Sequence, residues 1–203
     1  MQKDFITIVS GLPRSGTSLM MQMLQAGGLE LLTDGRRTPD DHNPCGYFEL
    51  EAVKHGRNDL SWLAHARGKA VKVIHLLLMN LPTDQSYRVI FMIRDLQEVV
   101  KSQRAMLKQQ GQASAALADS ALAGIFEKQL ATVRHWLPEQ PNFSVLYVNH
   151  RDVMEHPSLA AEQINAFLDG DFSVNNMAAV VTPSLHRQRN PALAKWISGW
   201  RVH

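Results

Sequence analysis

The sequence predicts an α/β fold in which a doubly wound parallel sheet, flanked by helices, forms a single domain. Short runs of β-branched and apolar residues alternate along the chain with longer segments whose apolar residues recur at helical spacing. The first run passes through a glycine-rich stretch directly into the first helical segment. At 203 residues, with 45% hydrophobic and 20% charged residues, the chain can bury one substantial core. We therefore treat residues 1–203 as one domain, with residues 191–203 as its C-terminal tail.

The predicted strands are short, nearly continuous runs of apolar and β-branched residues, and the predicted helices carry apolar residues at a period near 3.6. Proline and glycine mark several of the boundaries between them. We expect strands at residues 4–9, 70–75, 86–93 and 143–148. We expect helices from the glycine-rich stretch to about residue 26, from about residue 50 to 60, after residue 95, over residues 122–137 and over residues 157–168.

The glycine-rich stretch, Ser10–Met20, carries the main functional signal. Gly11 and Gly16 allow backbone N–H groups to approach an anion closely, beside the positive end of the following helix dipole. Hydroxyl groups and one guanidinium add donors, so the stretch predicts a phosphate site. The alternative is a plain glycine turn between a strand and a helix. The side chains that add donors are Arg14, Ser15, Thr17 and Ser18.

The two glycines have the spacing of a P-loop, GxxxxGK[ST], with one departure. Thr17 stands where a nucleotide triphosphatase has its lysine, and the loop carries its cation at Arg14 instead. A loop without that lysine is poorly equipped to neutralise a β/γ-phosphate pair together with magnesium. It can still hold a single 5′-phosphate, so the sequence favours a P-loop-type fold with a metal-free phosphate site.

The segment Gly11–Ser18, GLPRSGTS, resembles the 5′-phosphosulfate loop of sulfotransferases that use 3′-phosphoadenosine-5′-phosphosulfate (PAPS). The resemblance, which extends to bacterial sulfotransferase-like proteins, implies in-line transfer of a sulfuryl group to a hydroxyl or amine of a small metabolite or glycan. PAPS would be the co-substrate and no metal would be required. Arg14 would also stabilise negative charge on the leaving nucleotide. The residues implied to hold the 5′-phosphosulfate are Pro13, Arg14, Ser15, Gly16, Thr17 and Ser18.

A second segment supplies a candidate general base. The string Asn43–Glu49, NPCGYFE, resembles a segment common in bacterial sulfotransferase-like proteins. The resemblance implies that Glu49 lies near the transferred group. Alternatively, Glu49 caps the start of the helix that follows, where the helix dipole favours a carboxylate.

A third segment supplies another candidate base. The segment His75–Pro82, HLLLMNLP, resembles the one in which cytosolic sulfotransferases carry their general base, which implies that role for His75. The ordinary pKa of histidine suits proton abstraction from an acceptor hydroxyl. Alternatively, His75 is a hydrogen-bonded core residue. The family has a lysine two positions before that histidine, where this chain has Val73, and Lys72 is one position off.

The third predicted strand runs into Arg94, and Ser102 lies two turns along the next helix. This pattern resembles the family's site for the 3′-phosphate of the nucleotide. An arginine at a strand end and a serine in the following helix can both turn toward one dianion. Alternatively, Arg94 is exposed and pairs with Asp95 or Glu98.

Two regions near the C-terminus bear on the resemblance. The fourth strand is followed by Asn149–Val153, NHRDV, where related sulfotransferases usually have tyrosine, an acidic residue, aspartate and leucine. Further on, Arg187 and Arg189 belong to a basic cluster that resembles the family's basic C-terminal segment, which closes over the 3′-phosphate. A solvated basic tail is the alternative.

Composition restricts the partners and the cellular location. A net charge of +2 gives no whole-molecule reason to expect binding to nucleic acid or to an anionic membrane. Cys45 is the single cysteine and cannot form an internal disulfide. No apolar leader precedes the first strand, and no apolar run is long enough to span a bilayer. The sequence predicts a cytoplasmic protein and leaves its oligomeric state open.

Two other functions stay open at this stage. A P-loop small-molecule kinase or nucleotide hydrolase would need the lysine that Thr17 replaces and a metal-binding aspartate at a strand end, for which Asp95 is the nearest candidate. A non-catalytic nucleotide-binding protein would keep the pocket without the chemistry, and the absence of a family lysine at Val73 keeps this hypothesis open.

Overall fold

The computed structural model of the chain describes residues 4–36, 46–109, 111 and 117–182. Within these residues, four parallel strands form one sheet in the order β2-β1-β3-β4. Helical segments connect successive strands, as parallel pairing requires. The strands are β1 (Ile6–Gly11), β2 (Ala70–Lys72), β3 (Tyr87–Ile93) and β4 (Phe143–Asn149).

The helices confirm the predicted β/α alternation and the fold class. The α-helices are α1 (Thr17–Ala26), α2 (Glu51–Lys54), α3 (Leu96–Gln109), α4 (Asp119–Trp136), α5 (His150–Glu155), α6 (Pro157–Phe167) and α7 (Val174–Ala179). The 3-10 helices cover Gly56–Asn58, Ser61–His65, His75–Asn80 and Leu137–Glu139.

Two local predictions were wrong, and two short helices were not predicted. The helix expected from about residue 50 to 60 is the short α2 followed by 3-10 turns, because Gly56 adopts a φ of +57° that an α-helix cannot continue through. Strand β2 ends at Lys72, three residues early, because the chain turns at Ile74 into a 3-10 helix. Helices α5 and α7, six residues each, are too short to show a helical period in the sequence.

Both faces of the sheet are buried, which explains why the strands read as continuous apolar runs. On β3, Ile90 and Met92 pack into the core formed with α1, α5, α6 and α7. Val89 and Phe91 point to the opposite face, where they meet residues of α4 and of the 3-10 segment around Trp62. The sheet is therefore sandwiched between two helical layers.

The strand order places a crevice at one edge of the sheet. β2 lies on one side of β1 and β3 lies on the other, so the chain leaves β1 at the point where the strand order reverses. Open α/β sheets bind ligands outside the carboxyl ends of the strands at such a point. The loop after β1 begins there, anchored by Leu12, which is buried against Val99, Val100 and Phe126.

Some predictions fall outside the described residues. They concern Cys45, the first residues of the Asn43–Glu49 string, the basic cluster with Arg187 and Arg189, and the tail 191–203. Among the helices that the structure describes, none combines the length and the apolar character needed to cross a membrane.

Candidate functional site

The loop between β1 and α1 requires glycine at both predicted positions. Gly11 has a φ of +141°, and a Cβ there would lie 2.6 Å from the backbone oxygen of Met92 and 2.6 Å from Ser15 Oγ. Gly16 has a φ of +103°, and a Cβ there would lie 2.5 Å from Cδ2 of His150. The loop is therefore fitted closely against β3 and the start of α5, which fixes the path of its backbone.

This loop presents donors toward the crevice. Helix α1 begins at Thr17 directly after Gly16, which has no side chain to cap it, so the first-turn N–H groups are suited to an external anion. Ser15 is buried, and its Oγ has no hydrogen-bond partner within the part of the chain that the structure describes. A phosphate oxygen would satisfy such a group. Pro13 and Arg14 form the partly exposed turn of the loop.

A lysine outside the loop supplies a cation close to it. Lys72 Nζ donates to Ser18 Oγ at 3.0 Å and to the backbone oxygen of Tyr47 at 2.8 Å. The sequence analysis left Lys72 aside because it is one position away from the family pattern. The signal that finds it is strand pairing, since Lys72 is the register partner of Val9 and ends β2 beside the start of the loop. Lys72, on the neighbouring strand β2, thus brings a positive charge close to the loop, which has no lysine at Thr17.

Arg14 connects the two predicted halves of the nucleotide site. Its Nε donates to Ser102 Oγ at 3.0 Å, and Nη1 of Arg94 donates to its backbone oxygen at 3.1 Å. Arg14 has a φ of +70°, a conformation that costs a non-glycine residue about 1–3 kcal/mol and that these contacts hold in place. Arg94 Nε also donates to Glu98 Oε2 at 3.0 Å. The pairing expected as an alternative for Arg94 is therefore present together with its contact to the loop.

His75 lies beside the first residue of the same loop and is buried, with 3% of its surface exposed. Its Nε2 lies 3.0 Å from Oε1 of Gln129 in α4. Burial lowers the pKa of His75 below its ordinary value of about 6.5, although hydrogen bonds with Gln129 and with the Gly11 backbone act in the opposite direction. The imidazole is therefore neutral at neutral pH, as a general base must be.

Glu49 is held beside a lysine, and another residue performs the capping role considered for it. Glu49 Oε2 lies 3.1 Å from Nζ of Lys54, and its side chain is 22% exposed. The N–H of Glu51 at the start of α2 donates to Oδ2 of Asp34 at 2.6 Å. Backbone hydrogen bonds to Glu51 and Arg36 lower the pKa of Asp34, so this carboxylate stays ionised at the helix start. The geometry gives the capping role to Asp34.

Comparison with known proteins decides the family. Residues 4–188 match the sulfotransferase domain family. The chain belongs to this family. No curated protein sequence matches the chain significantly.

Solved structures of sulfotransferases share the fold of this sulfotransferase-domain protein. The crystal structure of the mouse sulfotransferase SULT7A1 complexed with PAP has a TM-score of 0.58 at 15% identity, and the match covers 88% of this chain. The chain spans only 64% of the length of that mouse protein. The sulfotransferase domain of the Synechococcus PCC 7002 olefin synthase has a TM-score of 0.54 at 16% identity, covering 95% of this chain and 90% of that one. The sulfotransferase domain from the curacin biosynthetic pathway has a TM-score of 0.52 at 15% identity, covering 96% and 95%.

Proposed function

We propose that this sulfotransferase-domain protein moves a sulfuryl group from PAPS to a hydroxyl or amine of a small metabolite or glycan in the cytoplasm. The observation that carries the proposal is the pair of contacts at Arg14. Its guanidinium meets Ser102 at 3.0 Å, and Arg94 donates to its backbone oxygen at 3.1 Å. One residue of the loop assigned to the 5′-phosphosulfate thereby contacts both residues assigned to the 3′-phosphate, so the two assigned sites are adjacent.

In this proposal the loop residues 13–18 bind the 5′-phosphosulfate, while Arg94 and Ser102 bind the 3′-phosphate. The hydroxyl of Ser102 accepts from Arg14 and keeps its own proton to donate to a phosphate oxygen. Arg187 and Arg189 remain proposed contacts to the 3′-phosphate from the C-terminal segment.

The reaction is an in-line displacement at sulfur. The acceptor oxygen or nitrogen forms a bond to sulfur while the bond from sulfur to the bridging oxygen breaks, and its electron pair stays on the departing 3′,5′-adenosine bisphosphate (PAP). The acceptor proton goes to His75 or Glu49. Lys72, Arg14 and the loop N–H groups stabilise the charge that develops on the bridging oxygen. The positive charge that this step needs comes from the protein's own side chains.

Calorimetric titration with PAP and with ATP plus magnesium tests the nucleotide assignment. We expect PAP to bind without metal and more tightly than magnesium-ATP, because the loop lacks the lysine of a triphosphatase. Arg94→Ala should weaken PAP binding by about 10- to 150-fold, the value of a hydrogen bond to a charged group. The matched control is Arg67→Ala, which removes a guanidinium that pairs with Asp4 before β1, at the other end of the sheet. A preference for magnesium-ATP would contradict the proposal.

The pH dependence of turnover distinguishes the two candidate bases. If His75 takes the proton, kcat at saturating PAPS is high above pH 6.5 and falls as the pH drops through its lowered pKa, because protonation removes the acceptor lone pair. His75→Asn should abolish turnover, whereas Glu49→Gln should keep both the rate and the fall in kcat at acid pH. Gln129→Leu should move this fall to lower pH, because the hydrogen bond from Gln129 raises the pKa of His75. Unchanged turnover in both His75→Asn and Glu49→Gln would show that neither residue is the base.

A further inference from the structure

The turn from β4 into α5 brings an arginine to the same sheet edge as Arg94. Ile93 and Asn149 are register partners at the ends of β3 and β4, so the residues that follow them leave the sheet side by side. The side chain of Asn149 accepts from the N–H of Arg151 at 2.9 Å and fixes the turn. Arg151 lies in the NHRDV segment, where the sequence departs from the usual family pattern.

Both arginines meet one buried carboxylate. Glu98 in α3 has a side chain that is only 3% exposed, and its Oε2 lies 3.0 Å from Nε of Arg94. Its Oε1 lies 3.7 Å from Nη2 of Arg151. The side chain of Arg151 is 22% exposed, against 10% for that of Arg94. Arg94 therefore lies closer to Glu98, and Arg151 has the more accessible side chain.

The charges at this edge do not balance. Arg94 and Arg151 bring two positive charges to the single negative charge of Glu98, and the backbone of Arg14, a third arginine, accepts from Arg94. The carboxylate of Asp95 also lies at this edge, where its Oδ1 accepts from the N–H of Glu98 at 3.1 Å. This cluster, which we call the arginine edge (Arg14, Arg94, Asp95, Glu98 and Arg151), carries a net charge of +1. A phosphate monoester carries up to two negative charges near pH 7 and accepts several hydrogen bonds, so it complements the cluster in both charge and donors.

We propose that Arg151 is a binding residue for the 3′-phosphate and that it sets the preference for adenosine nucleotides phosphorylated at both the 3′ and 5′ positions. The inference rests on the proposed function and extends its 3′-phosphate site beyond Arg94 and Ser102. Arg151 and Arg94 both meet Glu98, so a phosphate held by Arg94 lies within reach of the guanidinium of Arg151 as well. Glu98 acts as the positioning residue for both.

Titration with two nucleotides that differ only in the 3′-phosphate tests this assignment. We would measure the binding of PAP and of adenosine 5′-monophosphate to the wild-type protein and to Arg151→Gln. We expect Arg151→Gln to weaken PAP binding by about 10- to 100-fold and to leave monophosphate binding within about twofold. Arg67→Gln is the matched control, because it removes an exposed arginine at the opposite end of the sheet, and it should change neither.

The outcomes separate this inference from the proposal on which it rests. A wild-type protein that binds both nucleotides equally would overturn the 3′-phosphate site and with it the role of Arg151. A wild-type preference for PAP that Arg151→Gln retains would overturn the role of Arg151 alone. Equal weakening of both nucleotides would show that Arg151 only supports the fold, and would overturn the assignment as well.

A second variant guards against loss of folding in Arg151→Gln, which removes one of the two arginines that meet Glu98. Arg151→Lys keeps the positive charge beside Glu98 but loses the planar fork that matches a phosphate. We expect it to unfold at a temperature close to that of the wild type and to weaken PAP binding selectively, by a smaller factor than glutamine does. An unchanged ratio of PAP to monophosphate affinity in this variant would overturn the proposal.

Discussion

Replacing Lys72 with methionine should lower kcat for sulfuryl transfer by about 100- to 1,000-fold at saturating PAPS. This corresponds to about 2.7–4 kcal/mol, the usual value of one donor that stabilises charge in the transition state. Lys72 Nζ lies 3.0 Å from Ser18 Oγ at the start of α1, where we place the 5′-phosphosulfate. Methionine keeps an unbranched side chain of similar length, so the variant removes the charge with little change in packing. A coupled assay of PAP release would measure the rate.

The control for this variant is Lys69→Met. Lys69 directly precedes β2 and pairs with Glu30. Lys69→Met therefore removes the same charge at the other end of the same strand. PAP lacks the sulfuryl group, so Lys72→Met should weaken PAP binding much less than it lowers kcat. Equal losses in PAP binding and kcat would indicate a structural role, and a kcat within about threefold of the wild type would contradict the catalytic assignment.

Replacing Gly11 with alanine should destabilise the protein by several kcal/mol. The added Cβ would meet the backbone oxygen of Met92 at 2.6 Å, and Gly11 and Met92 are register partners in adjacent strands. That oxygen can move only if the β1-β3 pairing shifts. Overpacking of this kind costs about 1–3 kcal/mol, and a φ of +141° adds a backbone cost of about 1–3 kcal/mol. Urea unfolding of the variant and the wild type would measure the difference.

Gly28 provides the matched control because it separates the backbone cost from the steric cost. Its φ is +101°, yet a Cβ there would have nothing within 4 Å. Gly28→Ala should therefore lose only the backbone contribution of about 1–3 kcal/mol. Should Gly11→Ala destabilise the protein no more than Gly28→Ala does, the close fit of the loop against β3 would be contradicted.

The fold class was predictable because its signals are local. Strands buried on both faces must be continuously apolar, and the run over residues 86–93 corresponds closely to β3, Tyr87–Ile93. The glycine spacing at Gly11 and Gly16 predicted a tight loop, which the structure shows with positive φ at both positions. The helix predicted at α2 was too long and α5 was not predicted, because short helices depend on contacts that a sequence window does not contain.

The sequence pointed to single candidate residues of the site but not to the contacts between them. Gly11–Ser18, Arg94 and Ser102 were each identified from a local pattern. The contact of Lys72 with the start of α1 was missed, because it depends on the pairing of β2 with β1 and not on the position of Lys72 in the family pattern. The sequence also left open whether Glu49 caps α2, a role that Asp34 performs from 17 residues away.

The sequence by itself determined the strand-loop-helix unit on which we place the anion site, because glycine spacing, donor residues and helix start lie within eleven consecutive residues. Only the tertiary structure decided which cations surround that loop. Arg14 meets Ser102 across 88 residues of chain, Lys72 meets Ser18 across 54, and Arg151 reaches Glu98 from another strand end. These contacts depend on the order of the strands and on the end of the sheet at which each strand finishes. Parallel pairing between segments that are distant in the sequence determines both.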